Sequence, residues 1–309
     1  MKHPDSPVLL STGVASLPQF GLQAPAVFSA IAVVLWGASD FAGGVGSRRA
    51  NAFVLTAFSH VAAFALMFAI AFGTHGDFPA RASVLWAMTA GALGGFSLAI
   101  FYRALAEGQM GIIAPIGALL GAAIPTLVDI AVEGAPSRWT IGGFVLAILA
   151  ILLITRPESE SPPGKGEGAK NAAGRPAGVG MAALSGIGFA GFYLCIHQAT
   201  GSPLWLAALS RIGSFTATAV AILVIRAPLT LDRPRLALGA VAGFLDVLAS
   251  ALFVSASQRG RLDEAVVITS LYPAVTVLLA RIFLKEHFSP WRMVGLLAAL
   301  AAVPLIATG

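Results

Sequence analysis

Long, unbroken apolar stretches constrain this chain more than any other feature of its sequence. A bilayer core about 30 Å thick is crossed by a helix of about 20 apolar residues. Ten stretches of that kind follow one another, separated by breaks that carry proline, glycine or charge. The predicted spans are residues 27–46, 52–72, 83–105, 111–132, 139–155, 177–198, 204–225, 236–258, 263–284 and 290–308. We therefore predict an all-α integral membrane protein with ten transmembrane helices.

Composition excludes the main alternative classes. Hydrophobic residues make up 57% of the 309 residues and charged residues 11%, whereas soluble proteins are about 25% charged. Such a chain cannot cover a water-facing surface, which excludes a soluble enzyme, and its hydrophobicity excludes a disordered protein. Continuous rather than alternating apolar runs argue against a strand barrel. The single cysteine, Cys195, excludes a disulfide framework and a cysteine-based zinc site.

A polar segment divides the predicted spans into two groups of five. Residues 157–176 carry adjacent prolines, several glycines and charges of both signs, a composition typical of a flexible linker. The predicted organisation is therefore an N-terminal tail (1–26), a first five-helix repeat (27–156), the linker, and a second five-helix repeat (177–309).

The two groups of spans show weak similarity to each other. A shift of 153 residues aligns Glu133 with Glu286 and Gly142 with Gly295, which favours an internal repeat. Because each repeat has an odd number of spans, the two must cross the membrane in opposite senses. Inverted repeats with a site near the midplane recur in secondary transporters.

Short motifs recur at the edges of the predicted spans. They are Leu35-Trp36-Gly37, the run from Phe101 to Gly108, Ala114-Pro115-Ile116, Ser270-Leu271-Tyr272-Pro273, and the run from Leu284 to Pro290 followed by Gly295. These motifs resemble the EamA-type members of the drug/metabolite transporter superfamily, from about residue 27 to residue 308. The resemblance implies a carrier for small metabolites, with ten helices in two repeats, that uses neither ATP nor a metal.

Few ionisable side chains lie inside the predicted spans. Asp40, Arg211 and Asp246 lie well inside, and His60 lies near the middle of the second span. At the centre of a membrane helix such charged groups cost about 2.5–3.5 kcal/mol, so they usually face a cavity or a partner. The aspartates and Arg211 either contact a charged substrate or relay a proton, or else form an Arg–Asp pair that fixes helix positions. His60 is either a hydrogen-bonded interior histidine or a proton carrier.

Aromatic side chains with one polar tip suit the wall of a binding cavity. The resemblance implies that the first, third and ninth helices face a central cavity, which selects Trp36, Tyr102 and Tyr272. A position at the bilayer surface is the alternative for Tyr102, near a helix end. The predicted substrate-binding residues are Trp36, Asp40, His60, Tyr102, Tyr193, Arg211, Asp246 and Tyr272.

Small residues and prolines within the spans predict local packing features. Gly91 and Gly243 lie in runs of small residues that let helices approach closely. Pro115 and Pro125 in the fourth span and Pro273 in the ninth predict kinks or breaks.

The sequence thus predicts a secondary transporter in a bacterial plasma membrane. It would move an amino acid, nucleobase, sugar or amphipathic drug by alternating access, with a proton or counter-substrate as a coupling partner and with no cofactor. The bilayer and the small substrate are its expected partners; nucleic acid is not, because no basic run is interleaved with aromatic residues. The alternatives are a non-transporting scaffold or receptor subunit, or an intramembrane enzyme. The His-Glu-x-x-His motif of metalloproteases is absent from the sequence.

The distribution of positive charge bears on orientation. Assigning the 19 Lys and Arg residues to alternate sides places 13 on the side of the linker and 5 on the side of the termini, with Arg211 between them. Cytoplasmic loops are enriched in Lys and Arg, so this count predicts termini outside. The resemblance implies termini inside, and the two expectations conflict.

Overall fold

Helices account for all regular secondary structure in the described part of the chain. The computed structural model describes residues 24–155, 178–285 and 290–307. Eleven helices lie within these ranges: α1 (Ala24–Ser47), α2 (Ala52–Gly73), α3 (Arg81–Glu107), α4 (Met110–Glu133), α5 (Arg138–Thr155), α6 (Val179–His197), α7 (Pro203–Ile225), α8 (Arg233–Ser257), α9 (Leu262–Thr269), α10 (Tyr272–Leu284) and α11 (Pro290–Ala307). The predicted linker lies outside the described residues, as does the predicted tail except for the start of α1.

Eight helical segments of the described residues are long and apolar enough to cross a bilayer. They are α1 to α4, α6 to α8, and the segment Leu262–Leu284 that contains α9 and α10. Helices α5 and α11, each 18 residues long, occupy the fifth and tenth predicted spans and pack along each other. The structure supports an integral membrane α protein, while the count of ten spans stays a prediction.

Large apolar side chains cover the outer face of the helices. Phe72, Val132 and Leu223 are 66%, 79% and 76% exposed. Soluble proteins rarely expose extended apolar patches, whereas lipid tails cover such a face in a membrane. The exposed surface therefore fits the membrane class that composition predicts.

The prolines of the fourth and ninth predicted spans have different effects on their helices. Helix α4 continues through Pro115 and Pro125. The ninth span is instead divided at Ser270 and Leu271, and Pro273 lies in the first turn of α10. Proline has no N–H to donate and fits the first turn of a helix, so a new helix starts there. The division places Tyr272 at the first position of α10.

The two groups of helices interleave and do not form separate bundles. Helix α1 packs along α8, α3 along α6 and α7, and α2 along α7 and α8, while α4 packs against α6. The main core therefore lies between the groups, and it contains the fully buried side chains of Phe101, Tyr102 and Phe253.

Glycines make the closest of these crossings possible. A Cβ atom on Gly91 of α3 would overlap the backbone carbonyl of Ser210 on α7. A Cβ atom on Gly243 of α8 would likewise overlap the carbonyl of Ser59 on α2. The predicted role of these glycines in close helix approach is confirmed.

Candidate functional site

A cavity of about 50 Å³ lies midway along the helices, between the two groups. Residues from α1, α2, α3, α6, α7, α8 and α10 line it. Seven of the eight residues predicted to bind substrate are among them: Trp36, Asp40, His60, Tyr193, Arg211, Asp246 and Tyr272. Since one water occupies about 10–15 Å³ on this measure, the cavity holds a few water molecules.

The eighth predicted residue, Tyr102, lies beside the cavity and does not line it. Its side chain is fully buried, so the alternative position at the bilayer surface is wrong. The Tyr102 hydroxyl lies 3.1 Å from Oγ of Ser39, which donates to the carbonyl of Ala242 at 2.8 Å. Its ring fills the space left by Gly43 on α1. Tyr102 therefore connects α3 to α1 behind the cavity wall.

Helix α1 brings its two cavity residues onto one face. Trp36 and Asp40 are four positions apart, which places them one above the other on a helix. Between them, Gly37 lies so close to α10 that an added Cβ would be 2.6 Å from the Tyr272 carbonyl oxygen. The Thr276 hydroxyl also donates to the Gly37 carbonyl at 3.1 Å. This contact between α1 and α10 brings Tyr272 to the same cavity as Trp36 and Asp40.

Arg211 and Asp246 form a buried ion pair between α7 and α8. The other two guanidinium nitrogens of Arg211 also donate, Nη2 to Ser250 Oγ at 2.9 Å and Nε to Ser210 Oγ at 3.3 Å. The second carboxylate oxygen of Asp246 accepts a hydrogen bond from Trp36 Nε1 at 2.9 Å. The sequence left open whether Arg211 and Asp246 contact a substrate or pair with each other. In this structure they pair with each other.

Three other polar groups of the cavity are left without such partners. The Asp40 side chain is only 5% exposed, and it has neither an ion pair nor a hydrogen bond to any described residue. Within the same ranges, the Tyr272 hydroxyl also lacks a hydrogen-bond partner. Neither ring nitrogen of His60 makes a well-formed hydrogen bond within the described chain, although the Gly95 backbone lies beside the ring. The interpretation of His60 as a hydrogen-bonded interior histidine is therefore not supported.

Aromatic rings form one wall of the cavity. The ring centroids of Trp36 and Tyr193 are 6.1 Å apart, and Phe253 packs behind them at 5.6 Å from Trp36 and 4.9 Å from Tyr193. Phe189 and Phe192 of α6 also line the cavity. The residues predicted to bind substrate did not include these phenylalanines. The repeat alignment could have indicated Phe189, because a shift of 153 residues pairs it with Trp36.

Two serines that line the cavity, Ser214 and Ser250, were also not predicted as site residues. A serine in an apolar helix does not indicate a binding site, because its hydroxyl commonly bonds to the backbone of its own helix. Ser250 does so, donating to the Asp246 carbonyl at 2.8 Å.

A second polar cluster joins the end of α4 to the start of α9. Arg261 donates to both carboxylate oxygens of Asp263, at 3.1 and 3.0 Å, and to the Gly134 carbonyl at 3.0 Å. The amide of Asp263 donates to Asp129 Oδ2 at 2.9 Å. Hydrogen bonding to Asp263 raises the pKa of Arg261 further above its ordinary value. The sequence analysis used Glu133 only in the repeat alignment and missed this cluster.

The same region contains the ligand atoms of a candidate metal group. Those of Asp129, Glu133 and His197 lie within 4.8 Å of one another. The Arg261 guanidinium, however, lies 4.0 Å from the Asp129 carboxylate and 3.8 Å from that of Glu133. A cation already balances these acids, so the group is a poor candidate for a metal site.

Comparison with known proteins finds one matching family. Residues 176–308 match the model of the EamA-like transporter family. The matched residues are those of the second predicted repeat, and the match agrees there with the resemblance that the motifs carry. Together with the apolar helices, it supports a multi-pass membrane protein. EamA-family members are transporters rather than enzymes.

The fold occurs in solved structures as well. One of them, described only as "Crystal structure of protein", superposes with a TM-score of 0.68 over 92% of this chain and 96% of that chain. The two sequences are 13% identical, so this likeness concerns the fold alone. No curated protein matches the sequence significantly.

Proposed function

We propose that this protein is an EamA-family secondary transporter that moves a small metabolite across a bacterial plasma membrane by alternating access. The observation that carries the proposal is the polar and aromatic cavity midway along the helices, lined by both groups of spans. Intramembrane ionisable residues usually mark a substrate or ion pathway. The eight residues selected from the sequence, with Tyr102 supporting the wall, are its substrate site.

Helix packing supports two equivalent halves of five spans each. In two equivalent halves, each helix of the first half corresponds to one span of the second. Helices α1 to α5 then correspond, in order, to α6, α7, α8, the α9–α10 segment and α11. The α1–α8 contact then becomes the α6–α3 contact, α2–α8 becomes α7–α3, and α1–α10 becomes α6–α4, all of which are present. Five spans per half make the repeat inverted, as in many secondary transporters. The family match over 176–308 supports the second half as a unit.

The closest backbone contacts follow the same correspondence. The contact of Gly91 with Ser210 corresponds to the contact of Gly243 with Ser59. Gly243 lies 152 positions after Gly91, and Ser210 lies 151 positions after Ser59. The same shift of 151 residues relates His60 to Arg211. The two halves thus contribute corresponding positions with different chemistry to one cavity, which supports a single asymmetric site between them.

The size of the cavity supports a conformational cycle. Small-molecule sites typically have volumes of about 300–1,000 Å³, whereas this cavity measures about 50 Å³. A metabolite can therefore enter only when the halves move apart. At the end where α1 begins, the Arg261 cluster joins α4 of the first half to α9 of the second, so opening that end requires these contacts to break.

Transport by the purified chain tests the proposal. A thermal-shift screen of amino acids, nucleobases, sugars and amphipathic drugs first selects ligands, because a ligand of the folded state raises Tm. The selected solutes are then loaded into liposomes with and without the protein. We expect saturable flux that exceeds the protein-free rate. If no solute moves faster than in protein-free liposomes, a non-transporting scaffold or receptor becomes the better description.

A further inference from the structure

The charges that line the cavity are not equivalent. Asp40, Arg211 and Asp246 are its charged side chains. Every guanidinium nitrogen of Arg211 already donates to a protein oxygen, and both carboxylate oxygens of Asp246 already accept a hydrogen bond. These two residues neutralise each other and have little capacity left for a ligand.

Asp40 is the charge that remains. It is 5% exposed and lines the cavity without a cationic partner among the described residues. The nearby Asp246 carboxylate is balanced by Arg211, so an ionised Asp40 has no cation of its own among the described residues. A buried charge without a partner is strongly unfavourable, and a positive group in the cavity would relieve this imbalance.

The geometry points to a ligand that carries an ammonium group and that binds in this cavity once the halves have moved apart, with its positive charge against Asp40. An ammonium has three N–H donors and no acceptor. Asp40 supplies a carboxylate acceptor, and the Tyr272 hydroxyl and a ring nitrogen of His60, both without partners within the described residues, supply two more. Donor number and acceptor number therefore match.

The rest of the wall suits the carbon skeleton of an organic cation. The aromatic side chains of Trp36, Phe189, Phe192 and Tyr193 line the cavity. Aromatic faces attract cations through their quadrupole, by about 2 kcal/mol or more when desolvated. A carboxylate ligand would meet the opposite situation, since Asp40 repels it and Arg211 is occupied.

Competition between ligands of one shape tests the sign of the charge on the unmodified protein. The probes are phenethylammonium, 2-phenylethanol and 3-phenylpropanoate, which share a phenyl ring and a two-carbon chain. Binding to the purified full chain in detergent is measured by equilibrium dialysis with labelled phenethylammonium. We expect the ammonium to bind at least about tenfold more tightly than the other two. Tighter binding of 3-phenylpropanoate, or equal binding of all three, would overturn the assignment.

Variants then assign the charge to Asp40. Asp40→Asn should weaken phenethylammonium binding by about 30-fold or more, since it removes one partner of a buried charge pair. Asp40→Glu should restore part of the affinity because it keeps the charge. Asp77→Asn, an exposed acid outside the helices, is the matched control and should leave binding unchanged. Equal binding by Asp40→Asn, in a variant with unchanged Tm and gel-filtration profile, would contradict the role of Asp40.

The ammonium site rests on the proposed function, because its cavity is the proposed transport cavity. The two can nevertheless fail separately. If the liposomes carry an anionic or neutral solute while phenethylammonium does not bind, the ammonium site is wrong and transport stands. If phenethylammonium binds through Asp40 and no solute crosses the liposome membrane, the site stands and transport is wrong.

Discussion

At the scale of single residues, neighbours decide what each intramembrane charge does. Arg211 and Asp246 are paired with each other, and Trp36 completes the hydrogen bonding of the carboxylate. Asp40 has the same side chain as Asp246 and similar burial, yet has no such partner among the described residues. Two aspartates that look alike in the sequence therefore differ in the structure: both line the cavity, but only Asp246 is paired across helices.

Trp36→Phe tests the hydrogen bond that links α1 to Asp246. The substitution keeps an aromatic ring but removes the Nε1 donor, which leaves one buried carboxylate oxygen without its partner. We expect the free energy of unfolding to fall by about 1–2 kcal/mol, the range for a hydrogen bond to a charged group in a membrane interior. Reversible unfolding in mixed micelles measures the change. Trp139→Phe is the control, because Trp139 is 58% exposed; an equal loss in both variants would rule out a specific role for the bond.

At the scale of elements, close approach of helices depends on positions with no side chain. The α3–α7 and α2–α8 crossings each place a glycine against the backbone of the opposite helix. Without the hydrophobic effect, membrane helices associate through such close packing. The break between α9 and α10 is a second element-scale feature, since it directs Tyr272 to the cavity.

Gly91→Ala tests the α3–α7 crossing. The added methyl group would overlap the Ser210 carbonyl, and overpacking typically costs about 1–3 kcal/mol. We expect a loss of that size in the free energy of unfolding, measured as for Trp36→Phe, and a similar loss for Gly243→Ala. Gly142→Ala on α5 is the matched control, because a Cβ there meets no described atom within 4 Å. A Gly91→Ala variant as stable as Gly142→Ala would mean that the crossing adapts freely.

At the scale of the whole molecule, one ionic cluster ties the first group of helices to the second. Arg261 follows α8, and its partners include Asp263 at the start of α9 and the Gly134 carbonyl after α4. Gly260 beside it lies near Pro25 of α1. Three chain segments distant in sequence therefore meet at the end of the molecule where α1 begins.

Arg261→Gln tests whether this cluster holds that end closed. The variant leaves the fully buried Asp263 without its cation, which should lower the free energy of unfolding by about 1–3 kcal/mol, less than for a deeply buried pair because Arg261 is partly exposed. Hydrogen–deuterium exchange should rise at the end of α4 and the start of α9 and stay unchanged where α2 packs on α7. Arg81→Gln, at an exposed position in the first turn of α3, is the control. Exchange that rises equally everywhere would contradict a local closing role.

The charge asymmetry of the whole chain predicts its orientation. Of the 19 Lys and Arg residues, 13 fall on the side of the linker and 5 on the side of the termini. The positive-inside rule then places the linker side in the cytoplasm. A fluorescent protein that folds only in the cytoplasm, fused to the C-terminus, should stay dark. Fluorescence would contradict the charge argument and agree with the orientation implied by the family resemblance.

Much of the fold and part of the site could be predicted from the sequence. Helices occur at all ten predicted spans because span length and apolarity are local properties of the chain. Asp40, His60, Arg211 and Asp246 stand out because charge is rare inside apolar stretches. Ser214 and the Arg261 cluster could not be found in this way, since their importance comes from what lies opposite them.

The sequence by itself thus determined the membrane class, the positions of the helices and a short set of residues to consider. The tertiary structure alone decided which of those residues are partners. The Arg211–Asp246 pair joins positions 35 residues apart, and the hydrogen bond from Trp36 to Asp246 joins positions 210 apart. No local pattern encodes such separations, because they arise only when separate helices pack around one cavity. That packing satisfies Asp246, whereas it gives Asp40 neither an ion pair nor a hydrogen bond among the described residues.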